Sequence, residues 1–203
     1  MHPANGIPDL STLARRLAAC RLCPGMTPPP VAAVTAGQRA LIVGQAPGIH
    51  EPVLGRPFAS SAGRRLRRWF APYGLDDEDR FRAVFAMTAI AKCYPGRTQG
   101  DRGDRRPTRG EIGACAPWTD AQVRLLDPAL LVPVGGMAIA QLIGPVQLAE
   151  VIGHRLEADG RAVIALPHPS GASAWTNLAA NRELIARAVH LICAELGIAP
   201  DPA

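Results

Sequence analysis

The chain has 203 residues, and its 22 Lys and Arg outnumber 17 Asp and Glu to give a formal net charge of +5 at neutral pH. With 48% hydrophobic and 19% charged residues it has the composition of one globular domain with a real core, which excludes a disordered tail, a coiled coil and a low-complexity protein. No basic segment leads into an apolar one at the start, and no apolar run of about 18 residues occurs, so a soluble, cytoplasmic, monomeric protein with no membrane partner is expected.

A first helix is predicted over Leu10 to Cys20, followed by a buried strand from Ala40 to Val43 and a helix from Ser61 to Phe70. Val84 to Ala91 reads as the second strand. Arg109 to Leu126 reads as a helix opened by a capping box, with Thr108 followed three residues later by Glu111. A strand at Leu130 to Val134, a helix at Gly136 to Leu142, a strand at Ala162 to Leu166 and a helix at Thr176 to Leu196 complete the order. This alternation predicts an α/β fold: a single domain over residues 1–203, with its core over 10–197 and short flexible termini. Its architecture is a three-layer sandwich whose central four-stranded parallel sheet carries helices on both faces. Function in such a sheet collects in the loops at the carboxyl ends of the strands. Those loops hold Gly44-Gln45-Ala46-Pro47-Gly48-Ile49-His50-Glu51, Gly55-Arg56-Pro57-Phe58, Lys92-Cys93 and His168-Pro169-Ser170-Gly171.

Five cysteines at uneven spacing suit a reducing compartment and favour metal ligation over a disulfide framework. Cys20 and Cys23 are close enough to address one metal centre, Cys93 follows a strand, and Cys115 lies early in the next helix. Because the second two are singletons rather than another close pair, iron-sulfur stands ahead of zinc, with four cysteines packed as small hydrophobes as the alternative. Cys193, within Leu191-Ile192-Cys193, reads as core.

Taken together, the Gly-Gln-Ala-Pro-Gly loop, Gly55-Arg56-Pro57-Phe58, the His168-Pro169-Ser170 loop and the four cysteines resemble the iron-sulfur uracil-DNA glycosylases, families four and five of their superfamily. The resemblance runs from about Cys20 to Leu196. It implies a [4Fe-4S] cluster on Cys20, Cys23, Cys93 and Cys115, and hydrolysis of the N-glycosidic bond of a uracil flipped out of DNA to leave an abasic site. In that reaction positive charge builds on the sugar and negative charge on the base, so the site needs a donor to the base, a platform for the ring and a placed water. The resemblance casts His168 as the donor to uracil O2 and Phe58 as the stacking platform. Gly44, Gln45, Ala46, Pro47 and Gly48 surround the base, with Ala89 and Ser170 completing the pocket.

The chain departs from these relatives where they carry a carboxylate for the water. Family one has aspartate where Ala46 stands, family four has glutamate at Gln45, and family five has aspartate at the place of Ser61. Glu51 matches a glutamate of family four and His50 a histidine of family five, so these two are the ionisable candidates, Glu51 preferred, with a solvated loop carboxylate as the alternative. Ala89 replaces family four's asparagine, as in family five, and predicts weaker rejection of deaminated bases other than uracil.

The basic charge is almost all arginine, Lys92 being the only lysine, and a guanidinium fork suits phosphate. Arg64, at the start of the helix after Phe58, and Arg105 and Arg106, in the arginine-rich loop from Arg97 to Arg109, are candidate DNA contacts together with Ser170. A related branch bonds covalently to the abasic sugar through a histidine in a similar loop. No histidine occurs in this one, so turnover is expected. The leading expectation is therefore a monofunctional glycosylase. The alternatives are an iron-sulfur DNA-binding or damage-sensing module that has lost turnover, and a nucleotide-binding α/β protein with an unrelated metal.

Overall fold

The computed structural model describes residues 2–100, 103–170 and 174–202. The fold is built outward from β1 (Ala40–Gly44), in which Ala40, Leu41, Ile42 and Val43 are all fully buried. Successive side chains of a strand point to opposite faces. Ala40 and Ile42 enter one core and Leu41 and Val43 another, which is why this strand is apolar at every position.

β1 pairs in parallel with β2 (Phe85–Ala89) on one side and β3 (Leu130–Pro133) on the other. The sheet continues through β5 (Arg161–Val163), parallel to β3, and ends at β4 (Leu156–Ala158), giving the order β2-β1-β3-β5-β4. The sheet thus has five strands rather than four, and it is mixed, since β4 runs antiparallel to β5. Asp159 and Gly160, both at positive φ, form the two-residue turn between them. That Asp-Gly pair is the hairpin signal by which the extra strand could have been found.

Helices α3 (Ser61–Trp69), α4 (Glu78–Val84) and α8 (Ala179–Leu196) cover the first face through Leu66, Phe81, Ile185 and Val189. Helices α5 (Arg109–Leu126) and α6 (Gly136–Ile143) cover the second through Ile112, Val123 and Ala138. Helix α1 (Leu10–Ala18) lies outside α5, with Leu13 and Leu17 packed on Trp118 and Ala121. The three layers and their helices match the expected α/β sandwich. There are also two single-turn helices, α2 (Glu51–Leu54) and α7 (Leu148–Val151).

The boundaries differ in instructive ways. Val84 belongs to α4, whose start is capped by Asp77, and Ile90 and Ala91 leave the regular ladder. They stay tied to the loop after β1, because their N–H groups donate to the carbonyls of Gly44 and Gln45 at 2.9 and 3.1 Å. Thr176 falls in a separate turn of 3-10 helix, Ala174–Asn177, ahead of α8. Helix α1 ends before Cys20, which therefore sits in the turn that follows.

Candidate active site

The carboxyl ends of β1, β2, β3 and β5 lie along one rim, with the chain reversing direction across the sheet at β1, where crevices form in folds of this kind. Gly44 and Ala89 are register partners. Val134 pairs with Leu166, which places Gly135 and His168 side by side: a Cβ on Gly135 would stand 3.2 Å from that of His168. Ala89 is buried at the end of β2, and Pro47 is buried in the loop after β1, in which Gln45 and Ala46 are half-buried.

Phe58 comes to this rim from the segment before α3. Its ring lies so close to β1 that a Cβ on Gly44 would approach Cζ to 2.9 Å. Its backbone is held at φ 52°, a left-handed conformation that costs a bulky residue of order 1–3 kcal/mol and is found where the surroundings over-determine it. Gly63, in the first turn of α3, makes that possible, because a Cβ there would fall 1.7 Å from the Phe58 carbonyl oxygen. The half-buried ring also touches the core, so packing and display to the rim are combined in one residue.

Glu51 is only 7% exposed, which overturns the solvated-carboxylate alternative. Its Oε2 accepts the Gly48 N–H at 3.2 Å and its Oε1 the Ala59 N–H at 3.1 Å, so it ties the loop after β1 to the segment carrying Phe58. Burial raises its pKa, while these backbone donors and Arg82 work in the opposite direction. His50 is exposed and caps nothing with its side chain.

His168 keeps an exposed surface, yet partial burial of its ring lowers the pKa below the usual histidine value. The Ser170 N–H donates to its Nδ1 at 3.2 Å. With Nδ1 accepting, the neutral ring carries its proton on Nε2. Gly171, the last residue of this loop motif, lies outside the described residues, as do Asp101 and Arg102 of the arginine-rich loop.

Cys20, Cys23, Cys93 and Cys115 line one cavity of about 210 Å³, together with Lys92 and Met26. Burial pushes the Cys93 thiol up to about 12, with Cys115, Cys20 and Cys23 each adding to the effect. Among the described residues no three His, Cys, Asp or Glu side chains close on a single metal ion. The Lys92 N–H donates to Cys115 Sγ at 3.5 Å. Lys92 itself is fully buried, its Nζ donating to the Ala89 carbonyl at 2.7 Å and to Thr119 Oγ1 of α5, and burial lowers its pKa to about 8. Ala46 packs on the patch formed by Met26, Ala91 and Cys93, so the cysteine cavity and the rim are neighbours. Cys193 is fully buried in the main core.

Arg64 and Arg106 are exposed. Arg105 is turned inward: its guanidinium makes a paired contact with the Glu111 carboxylate at 2.6 and 2.8 Å and donates to the Gly25 carbonyl at 2.8 Å. Among the described residues no helix is long and apolar enough to cross a membrane.

The model of the uracil DNA glycosylase superfamily matches residues 32–191. A type-4 uracil-DNA glycosylase of Pyrobaculum aerophilum is 33% identical over 117 residues, 58% of this chain and 51% of that protein. One from Thermotoga maritima is 28% identical over 79% of this chain and 81% of its own length. A type-5 uracil-DNA glycosylase of Thermus thermophilus is 29% identical over 66% of this chain and 72% of its own length. With a parallel-stranded core, its motifs on a single rim and a family match over most of its length, the chain belongs to the uracil-DNA glycosylase superfamily.

Proposed function

We propose that this protein is a DNA-repair glycosylase that hydrolyses the N-glycosidic bond of uracil flipped out of DNA, and of other deaminated bases more slowly, leaving an abasic site. The observation that carries this reading is the Ser170 N–H donated to His168 Nδ1, which leaves the ring's proton on Nε2 as a donor at the rim. As the bond breaks, charge grows on the uracil oxygen, and a donor fixed in advance stabilises it without reorganisation. Phe58, locked by Gly44 and Gly63, supplies a flat surface against which the extruded ring stacks. Glu51 positions Gly48 and Ala59, so the backbone around the base is rigid before substrate arrives. Ala89, small and apolar, presents no side-chain amide to the base edge, which favours a broader lesion range.

The four-cysteine cavity fits a [4Fe-4S] cluster held by Cys20, Cys23, Cys93 and Cys115. The donor set is all sulfur, the thiols surround a shared space without closing on one ion, and the Lys92 N–H already donates to a ligand sulfur. When bound, such a group supplies cross-links between chain segments and a one-electron redox centre. Arg64, Arg106 and Ser170 face the DNA backbone. The protein works as a monomer in the cytoplasm, in keeping with five free cysteines.

The test is incubation of the protein, in excess, with a labelled oligonucleotide containing one uracil, followed by alkali. Strand breakage at the uracil is expected. Tight binding without breakage would instead favour the damage-sensing module, a reading that the side chains of Gln45, Ala46 and Ser61 support.

A further inference from the structure

Hydrolysis at the sugar requires a water aimed at C1′ and a group to take its proton. Gln45, Ala46 and Ser61 carry no carboxylate, and both oxygens of Glu51 are occupied by backbone N–H groups. Another carboxylate reaches the same loop from elsewhere in the chain. Asp104 lies on the returning limb of the arginine-rich loop, where Arg97 and Asp104 form an antiparallel bridge and the Arg105 N–H donates to the Gly96 carbonyl at 2.9 Å. In extended chain, neighbouring side chains point opposite ways. Arg105 is drawn inward by Glu111 and Gly25, and Asp104 accordingly turns to the other side, toward the loop after β1. Its Oδ1 accepts from the Tyr94 hydroxyl at 3.0 Å. Its Oδ2 stands 3.6 Å from where a Cβ on Gly48 would be, which is van der Waals distance from the loop after β1.

We propose that Asp104 is a catalytic residue of this chain, the carboxylate that orients the attacking water and accepts its proton; this rests on the glycosylase reading above. In the step, the water oxygen bonds to C1′ while the C1′–N1 bond breaks. The water proton passes to Asp104 Oδ2, and the bonding electron pair leaves on uracil, whose oxygen is held by His168. Tyr94 holds the carboxylate through the oxygen that does not react.

The experiment compares the parent protein with Asp104→Asn and Asp104→Ala on uracil DNA at enzyme excess, and measures affinity for abasic-site DNA alongside. Asp104 is exposed, so both variants are expected to fold, which circular dichroism checks. Expected are a rate about 10²- to 10⁴-fold lower for Asp104→Asn, unchanged affinity, and partial recovery of Asp104→Ala by added formate. A rate for Asp104→Asn within twofold of the parent, or a loss that formate does not restore, overturns the assignment while leaving the glycosylase reading intact. Absence of product from the parent protein overturns both.

Discussion

His168 and Gly63 show how single residues shape the rim. Replacing His168 by alanine removes a donor at the rim whose tautomer is fixed by a neighbouring backbone N–H. Loss of a preorganised donor costs about 3–4 kcal/mol, so single-turnover excision should slow roughly 10²- to 10³-fold with the unfolding midpoint nearly unchanged. A His168→Ala variant that retains the parent rate would remove His168 from the reaction. Gly63 acts through space that only a hydrogen can occupy. Gly63→Ala must displace either the start of α3 or the Phe58 backbone, because the new methyl would overlap the Phe58 carbonyl. About 1–3 kcal/mol of stability should be lost, read from denaturant unfolding, together with excision activity. A stable, fully active variant would show that the left-handed Phe58 is not needed.

Elements are joined here by buried and half-buried polar side chains rather than by apolar packing alone. Lys92 links the end of β2 to α5, and Glu111 links α5 to the arginine-rich loop while completing the capping box with Thr108. The Arg105 guanidinium is the main reason the Glu111 carboxyl falls from 4.5 to about 2, helped by the Thr108 donors. Since the folded protein favours the ionised form, this contribution is fully present above pH 4.5 and is lost as pH falls from there toward 2. Glu111→Gln should therefore be less stable than the parent at pH 7, and the difference between their urea midpoints should narrow as pH drops through 4 to 3. A constant difference would mean that Glu111 acts through its hydrogen bonds without its charge. The same pair explains why the loop reads as a basic arm in sequence but is anchored at its base in the fold.

At the scale of the whole molecule, the net charge of +5 and the exposed arginines of α3 and the loop give an electrostatic footprint for DNA. Each phosphate neutralised on duplex DNA adds about −0.9 to the slope of log affinity against log salt. Arg64→Gln and Arg106→Gln should each reduce that slope by about one contact. Arg105→Gln should leave the slope nearly unchanged and lower stability, because its guanidinium is already bound to Glu111 and Gly25. Equal slope changes for all three would mean that Arg105 leaves Glu111 for phosphate when DNA binds.

By itself, the sequence determined the three-layer α/β architecture, since runs such as Ala40 to Val43 are apolar at every position and only a strand buried on both faces requires that. It also marked the strand-end loops that the fold brings to one rim, and it set apart from Cys193 the four cysteines that line one cavity. The fifth strand escaped because β4 is three residues long and no more than half-buried, too short for its periodicity to register beside an Asp-Gly turn. Only the tertiary structure decided which charged residues are engaged. In sequence Glu51 reads as an ionisable site candidate and Arg105 as a DNA contact, but their partners Ala59 and Gly25 come from other segments, and hydrogen bonds of this kind leave no periodic trace. The approach of Asp104 to Gly48 across 56 positions of chain is of the same sort: a contact made by two loops meeting over a rim that the sheet order creates.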